Sequence, residues 1–119
     1  MRYIMLIYSL EDEAATAEQR SSVFAAHRAL MNETAERGIL RAAEPLEASI
    51  TATCLRLQDG KAIITDGPYA ETKEQLAGFY ILDCKDLDEA LEWAAKVPTG
   101  CQGGVGLVEV RPLREMRRD

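Results

Sequence analysis

Short apolar runs separated by polar turns account for much of the chain. The first run, residues 2–8 (RYIMLIY), is continuously apolar or aromatic apart from its first residue and rich in strand-forming residues. Such a run is typical of a strand that is buried on both faces. Further strand-like runs follow at residues 39–43, 51–57, 61–65, 76–84 and 105–110. The pattern therefore predicts six strands.

Two segments have helical rather than strand-like spacing. From about residue 16 to residue 37, apolar positions recur every three to four residues, and Gly38 follows as a left-handed helix cap. Asp86 and Glu89 have the spacing of a capping box, and the helix that they begin ends before Pro98. The chain is therefore predicted to carry two helices.

The order of these elements indicates the fold class. Residues 51–57 and 61–65 are joined by Asp59-Gly60, the dipeptide best suited to the positive φ angles of a two-residue hairpin. Without this hairpin the order is βαββαβ, the split unit of ferredoxin-like folds, in which both helices cover one face of a mostly antiparallel sheet. We predict an α+β, ferredoxin-like βαββαβ fold with an inserted β-hairpin.

The opposite face of this sheet needs a cover. Residues 2–8 and 76–84 are apolar on both sides, and the sequence contains no third long helix to shield them. We therefore expect two copies to pack sheet to sheet as a homodimer, in a dimeric α/β-barrel-type assembly. A monomer with a polar outer face is the alternative.

Length and charge narrow the class of protein. The 119 residues suit one domain, predicted at residues 1–113, followed by a charged tail at 114–119. With 14 basic and 20 acidic side chains the net charge is −6, which argues against nucleic acid or an acidic membrane as a partner. No apolar run approaches the roughly 20 residues that span a bilayer. Residues 1–13 also lack the features of a secretory signal, so we expect a cytoplasmic protein.

The sequence offers little for a metal or a cofactor. Its three cysteines include no CxxC pair, and it has a single histidine, so a zinc site is not expected. It also contains no glycine-rich phosphate loop and no serine-nucleophile motif. We expect neither a metal nor a cofactor.

His27 is the first candidate for chemistry, because the ordinary pKa of a histidine lies near neutrality. Helical spacing places it on the inward stripe with Val23 and Leu30. One interpretation is a partly buried structural histidine that is held by a backbone carbonyl. The other is a histidine that reaches a cavity between helix and sheet and acts there as an acid or a base.

The second candidate is the loop 65–73 between two predicted strands. It brings an acid, a phenol and an ammonium together in Asp66, Tyr69 and Lys73, next to Gly67-Pro68. Asp66 can form an Asx turn whatever the function, so a purely structural role stays open. The residues expected to line a pocket here are Tyr8, Gly67, Pro68, Tyr69, Lys73 and Gly78.

Residues inside the predicted strands have structural interpretations as well. Gly78 either marks a bulge or clears room for another group to approach the sheet. The strand aromatics are expected to pack within the sheet, and Tyr8 is the one whose hydroxyl is expected to reach a cleft. These aromatics are Tyr3, Tyr8, Phe79 and Tyr80.

Three stretches of the sequence closely resemble bacterial DGPF-type proteins of the YCII-related family: residues 65–94 (TDGPYAETKEQLAGFYILDCKDLDEALEWA), the opening RYIMLIY and the ending VEVRPL. The resemblance covers nearly the whole chain and departs at Tyr69, where the family's name has phenylalanine. It implies a dimeric ferredoxin-like fold whose two sheets pack face to face. It also implies that His27 and Asp66 converge in a cleft, and that such proteins are associated with extracytoplasmic-function sigma factors.

Two hypotheses about function follow. In the first, the chain is a small-molecule enzyme in which Asp66 orients His27 and stabilises its imidazolium, leaving the other ring nitrogen as a general base or acid. In the second, it is a non-catalytic ligand-binding or regulatory module associated with an extracytoplasmic-function sigma factor. The sequence does not decide between them.

Overall fold

The structure, a computed structural model, describes residues 1–11, 14–70, 73–99 and 106–116. Along these ranges the chain forms six strands and two helices in the predicted order. The strands are β1 (Arg2–Leu10), β2 (Leu40–Pro45), β3 (Thr53–Gln58), β4 (Lys61–Asp66), β5 (Glu74–Asp83) and β6 (Gly106–Pro112). The helices are α1 (Ala17–Glu36) and α2 (Leu87–Ala94), and Ser49–Thr51 form a single 3-10 turn.

The main sheet has four strands in the order β2-β5-β1-β6, and each neighbouring pair is antiparallel. Since β1 and β2 are both antiparallel to β5, they run parallel to each other with β5 between them, and α1 joins them. In the same way β5 and β6 flank β1, and α2 joins them. These are two split β-α-β units. The prediction of an α+β fold with two helices is confirmed, and the arrangement is compatible with a ferredoxin-like fold.

The ends of the helices are set by local hydrogen bonds. Thr16 accepts from the backbone N–H of Gln19 at 3.1 Å, and the Gln19 side chain accepts from the Thr16 N–H at 2.8 Å, which completes a capping box. After α1, Gly38 adopts φ +73°, so its predicted left-handed cap is confirmed. Asp86 caps α2 by accepting from the N–H of Glu89 at 2.9 Å. Neither helix of these ranges has the length and apolar composition that crossing a membrane requires.

The core lies between the main sheet and the two helices. Alternate side chains of β1 and β5 point to the helices and are buried, as the period of two along a strand requires. Leu30 of α1 and Ala90 and Trp93 of α2 close the layer from the other side. The strand residues of this core are Tyr3, Met5, Ile7, Tyr80 and Leu82.

The other face of the main sheet, here called the open face, is apolar and only partly buried. Its central side chains are Ile4 and Leu6 of β1, with Phe79 and Ile81 directly opposite them on β5. Both helices pack on the opposite side of the sheet. Among the described residues the open face therefore has no helix to cover it.

β3 and β4 form a separate two-stranded antiparallel sheet. Asp59 and Gly60 join them with φ angles of +50° and +76°, so the predicted two-residue turn is confirmed. Nearly every side chain of the two strands is exposed. This hairpin therefore packs little against the main sheet.

Gly78 lies where β5 is irregular and where β2 comes very close. The pairing of β1 with β5 shifts next to it, because Ile7 faces Gly78 and Tyr8 faces Leu76. A Cβ at Gly78 would lie 2.8 Å from the carbonyl oxygen of Glu44 and 3.2 Å from Cα of Pro45. The sequence left a bulge and a close approach as alternatives for this glycine; the structure has the irregularity, and β2 makes the approach.

Substituting Gly78→Ala should therefore destabilise the fold. The new methyl meets rigid backbone rather than a flexible side chain, so we expect the free energy of unfolding to fall by about 1–3 kcal/mol. Urea denaturation followed by circular dichroism measures this loss. Ala62→Ser, at an exposed position of β4, is the control and should leave the midpoint unchanged. A Gly78→Ala midpoint equal to that of the original chain would show that β2 moves away without cost.

Candidate functional site

His27 lies in the middle of α1, half-buried between the helix and the main sheet. Its Nδ1 is 2.7 Å from the hydroxyl oxygen of Tyr80 on β5. The two rings are nearly parallel, with centroids 5.9 Å apart and an interplanar angle of 23°. The one histidine of the chain is thus held by a tyrosine across the helix–sheet boundary.

Tyr80 has a second, longer contact, from which we assign the direction of the hydrogen bond. Its side chain is 2 % exposed, and its hydroxyl also donates to the backbone carbonyl oxygen of His27 at 3.4 Å. A phenol has one proton to donate, so both contacts form together only when Nδ1 is the donor and the phenol oxygen the acceptor. Nδ1 then carries the proton of the neutral ring. The lone pair is left on Nε2, which makes no hydrogen bond within the described residues.

Burial acts on both partners and favours their uncharged forms. It raises the pKa of Tyr80 to about 12, so this phenol keeps its proton across the physiological range. It lowers the pKa of His27 below the usual 6.5, so the imidazole is neutral at pH 7. A neutral imidazole with a free Nε2 lone pair is a proton acceptor.

Asp66 is the last residue of β4, and its side chain is exposed. Among the described residues no hydrogen bond links it to His27. The enzyme hypothesis has this carboxylate orient one ring nitrogen of His27, and within one chain the group that contacts a ring nitrogen is the Tyr80 hydroxyl, at Nδ1. Convergence of Asp66 with His27 therefore stays a prediction.

The loop after β4 folds back on the hairpin. The N–H of Gly67, at φ +99°, donates to the carbonyl of Ala52 at 2.7 Å, and the Cys54 thiol donates to the Gly67 carbonyl at 3.3 Å. The guanidinium of Arg56 lies 5.6 Å from the ring centre of Tyr69. Together these groups border a shallow cleft of about 360 Å³, which is lined by Cys54, Leu55, Arg56, Ile63, Thr65, Pro68 and Tyr69.

The remaining residues predicted to line a pocket lie apart from this cleft. Tyr8 is on the open face of the main sheet, on the opposite side from His27. Gly78 is buried against β2, and Lys73 is exposed just before β5. The structure thus distributes the predicted residues over several places, and one shared pocket stays a prediction.

Tyr80 is the site residue that the sequence analysis missed, since it was assigned to sheet packing. It shares the helix-facing side of β5 with Leu82, which the alternation along the strand already indicates. The additional signal is topological. α1 joins the two strands that flank β5, so an inward histidine of α1 is brought over the inward side chains of β5.

The two cysteines that the structure describes are both occupied in the fold. Cys84 is buried in the core, and burial raises the pKa of its thiol to about 11. Cys54 is engaged with the loop after β4, and Cys101 lies outside the described residues. Within the described ranges no three acidic, histidine or cysteine side chains are grouped so as to hold a metal ion.

A second cleft, of about 470 Å³, lies where the ends of the two helices meet. Lys96 and Arg37 lie 4.6 Å and 5.4 Å from the ring centre of Trp93, and the Lys96 ammonium also pairs with Glu33 at 3.0 Å. Trp93 is itself buried. These contacts tie α1 to α2 and account for the residues present without a ligand.

Comparison with known proteins identifies the family of this chain. A family model described as the YCII-related domain matches residues 1–117. A protein of Rhizobium meliloti (strain 1021), described as uncharacterised, is 39% identical in an alignment 117 residues long, which covers 95% of this chain and 92% of that protein. This chain belongs to the YCII-related domain family.

Proposed function

We propose that the chain is an enzyme that moves a proton on a small organic molecule, with Nε2 of His27 as the general base. The observation that carries this proposal is the 2.7 Å contact between Nδ1 of His27 and the buried Tyr80 hydroxyl. With Nδ1 assigned as the donor, this contact leaves the lone pair of the neutral ring on Nε2. A positioned base of this kind contributes typically about 10²–10⁴-fold to a rate.

The proposed step moves one proton onto Nε2 and then off it. Nε2 accepts a proton from the substrate, or from a water that attacks the substrate, and the ring becomes an imidazolium. The N–H of Nδ1 continues to donate to the Tyr80 oxygen, and this bond strengthens because its donor is now charged. The proton then returns from Nε2 to the product, and the enzyme ends as it began. Tyr80 is a positioning residue and loses no proton.

A tyrosine partner keeps the imidazole unprotonated at neutral pH more fully than a carboxylate would. A carboxylate beside the ring would stabilise the imidazolium strongly and raise the pKa of His27. The neutral phenol stabilises it less, so desolvation dominates and the pKa of His27 is lowered. The base is therefore free of a proton at neutral pH. The Asp66 carboxylate is then available to contact the substrate or the second copy of the chain.

The functional unit in this proposal is a homodimer. The open face presents Ile4, Leu6, Phe79 and Ile81, which are only partly buried in one chain. Burying such side chains contributes about 25 cal/mol for each Å² removed from water. Two sheets pack about 10 Å apart when their side chains interdigitate. A second open face can remove these side chains from water and can pack at this spacing. The result is the dimeric α/β-barrel-type assembly.

The alternative function uses the same site without turnover. A ligand-sensing module linked to an extracytoplasmic-function sigma factor would bind its ligand at His27 and leave it unchanged. The two functions differ in whether His27 is needed for a reaction or for binding alone.

The pKa of His27 tests the role of Tyr80. Because the chain has one histidine, its ring protons can be followed by NMR titration without assignment. We expect a pKa below 6.5, and Tyr80→Phe should lower it further, because the imidazolium loses its hydrogen-bond acceptor. Tyr3→Phe, at another buried tyrosine of the same sheet face, is the control and should leave the pKa unchanged. A higher pKa in Tyr80→Phe would contradict the assigned donor and acceptor.

Activity tests the role of His27 itself. We would incubate the protein with a panel of small carbonyl compounds in D₂O and detect deuterium incorporation by NMR. Exchange should disappear in His27→Gln and persist in Arg28→Gln at the exposed neighbouring position. It should also fall as the pH drops through the lowered pKa of His27, because only the neutral ring accepts a proton. Deuterium exchange that persists in His27→Gln would contradict the enzyme proposal. Ligand-induced thermal stabilisation without any exchange would support the regulatory alternative.

Oligomeric state tests the assembly. Sedimentation velocity at micromolar concentration should give twice the 13.2 kDa mass of one chain. Leu6→Lys, at the centre of the open face, should shift the population towards monomer, because a buried unpaired ammonium is costly. Phe24→Lys, on the exposed side of α1, is the matched control. The sheet-to-sheet proposal fails if Leu6→Lys associates as tightly as the original chain.

A further inference from the structure

The hairpin of β3 and β4, here called the arm, has one face made of aliphatic side chains. Leu55 lies opposite Ile64 and Leu57 opposite Ala62 in the β3–β4 register, so these four side chains point the same way. Leu55, Leu57 and Ile64 are 61%, 71% and 63% exposed. We call these four residues the arm face.

The two faces of the arm are not equivalent. The opposite face carries Cys54 and Arg56, and the chain's own loop lies against it through Gly67 and Tyr69. Within the described residues nothing comparable lies on the arm face. A two-stranded hairpin that packs against neither a further strand nor a helix is at best marginally stable in water. The arm face therefore requires a cover.

The chain has a larger accessible surface and a larger radius of gyration than a compact monomer of its size. Its accessible surface is 8801 Å², against about 6,400 Å² for a compact monomer of this mass. Its radius of gyration is 16.3 Å, against about 13.5 Å for a compact domain of this length. The excess of roughly 2,400 Å² is within the range that one partner contributes to an obligate homodimer, about 1,000–2,500 Å².

We propose that the arm face of each copy packs on a second copy of this chain, at the rim of the interface formed by the open faces. This inference rests on the dimer of the proposed function and adds the arms to it. A symmetric pair then covers both apolar surfaces at once, because each copy supplies an arm and receives one.

A second copy fits this surface better than a different protein. The arm needs its cover whenever the chain is folded, and an identical chain is always present in equal amount. The charges of the arm also permit it, because Arg56 and Lys61 balance Asp59 and Asp66. Because the arm has no net charge, the net charge of −6 on a second copy does not repel it.

The seating of the arm bears on the candidate site. Asp66 ends β4, and Gly67 and Pro68 follow directly. Where this carboxylate lies relative to the His27 of either copy therefore depends on where the arm is held.

Two measurements test the inference. In the first, Leu55→Lys/Ile64→Lys should weaken the dimer at least tenfold in sedimentation equilibrium. Ile50→Lys, which is more exposed but lies outside the arm, is the matched control and should leave the dissociation constant unchanged. In the second, hydrogen exchange of the unmodified chain should show protected amides at residues 53–66 in the dimer. That protection should be lost on dilution in step with dissociation.

The outcomes separate this inference from the proposal beneath it. If the chain is a dimer that Leu6→Lys disrupts, yet the arm variant associates normally and the arm amides exchange freely, the arm inference is overturned and the sheet dimer stands. If the chain is a monomer at every concentration, both are overturned. Arm amides that stay protected after the dimer has dissociated also overturn the inference. The exchange measurement needs no variant, so it decides the matter even if the arm variant does not fold.

Discussion

The packing of α1 on β5 is the interaction on which both the fold and the proposed chemistry depend. α1 joins β1 to β2, and β5 lies between those strands, so the inward stripe of the helix meets the inward side of β5. Leu30 and Thr34 close the core along this contact, and His27 meets Tyr80 at its half-buried end. The same loss of water lowers the pKa of the imidazole and raises that of the phenol. In the proposed account, one packing contact thus supplies the orientation and the protonation state of the base.

The second constraint is that the two helices bury only part of the chain's apolar surface. Two helices shield one face of a four-stranded sheet, while the apolar side chains of the other face are only partly buried and the β3–β4 hairpin is mostly exposed. The accessible surface exceeds that of a compact monomer of this mass by roughly 2,400 Å², an area of the size that one partner contributes to an obligate homodimer. In the proposed account, association is therefore part of folding, and a second chain completes the hydrophobic interior that one chain leaves open.

Local signals in the sequence predicted most of the fold. The strands follow from the apolar runs, the end of α1 from Gly38, and the hairpin turn from Asp59-Gly60, because each depends on residues close together in the chain. Boundaries were less exact. α2 ends at Ala94 rather than just before Pro98, and Ser49–Thr51 form a 3-10 turn that delays β3 to Thr53.

The site was less accessible to sequence reasoning. His27 could be singled out from its chemistry and its place on the inward stripe. Its partner could not, because Tyr80 is 53 residues away and becomes a neighbour only through the order of the strands. The resemblance directed attention to Asp66, which lies on the hairpin and makes no hydrogen bond to His27 within the described residues.

The position of a single proton tests the central claim most directly. Neutron diffraction from crystals grown in D₂O at neutral pD locates exchangeable deuterons on the ring of His27 and on the hydroxyl of Tyr80. The account predicts one deuteron on Nδ1, directed at the Tyr80 oxygen, with the Tyr80 deuteron directed at the His27 carbonyl and none on Nε2. A deuteron on Nε2 with a bare Nδ1 would contradict the assignment of His27 as the resting base.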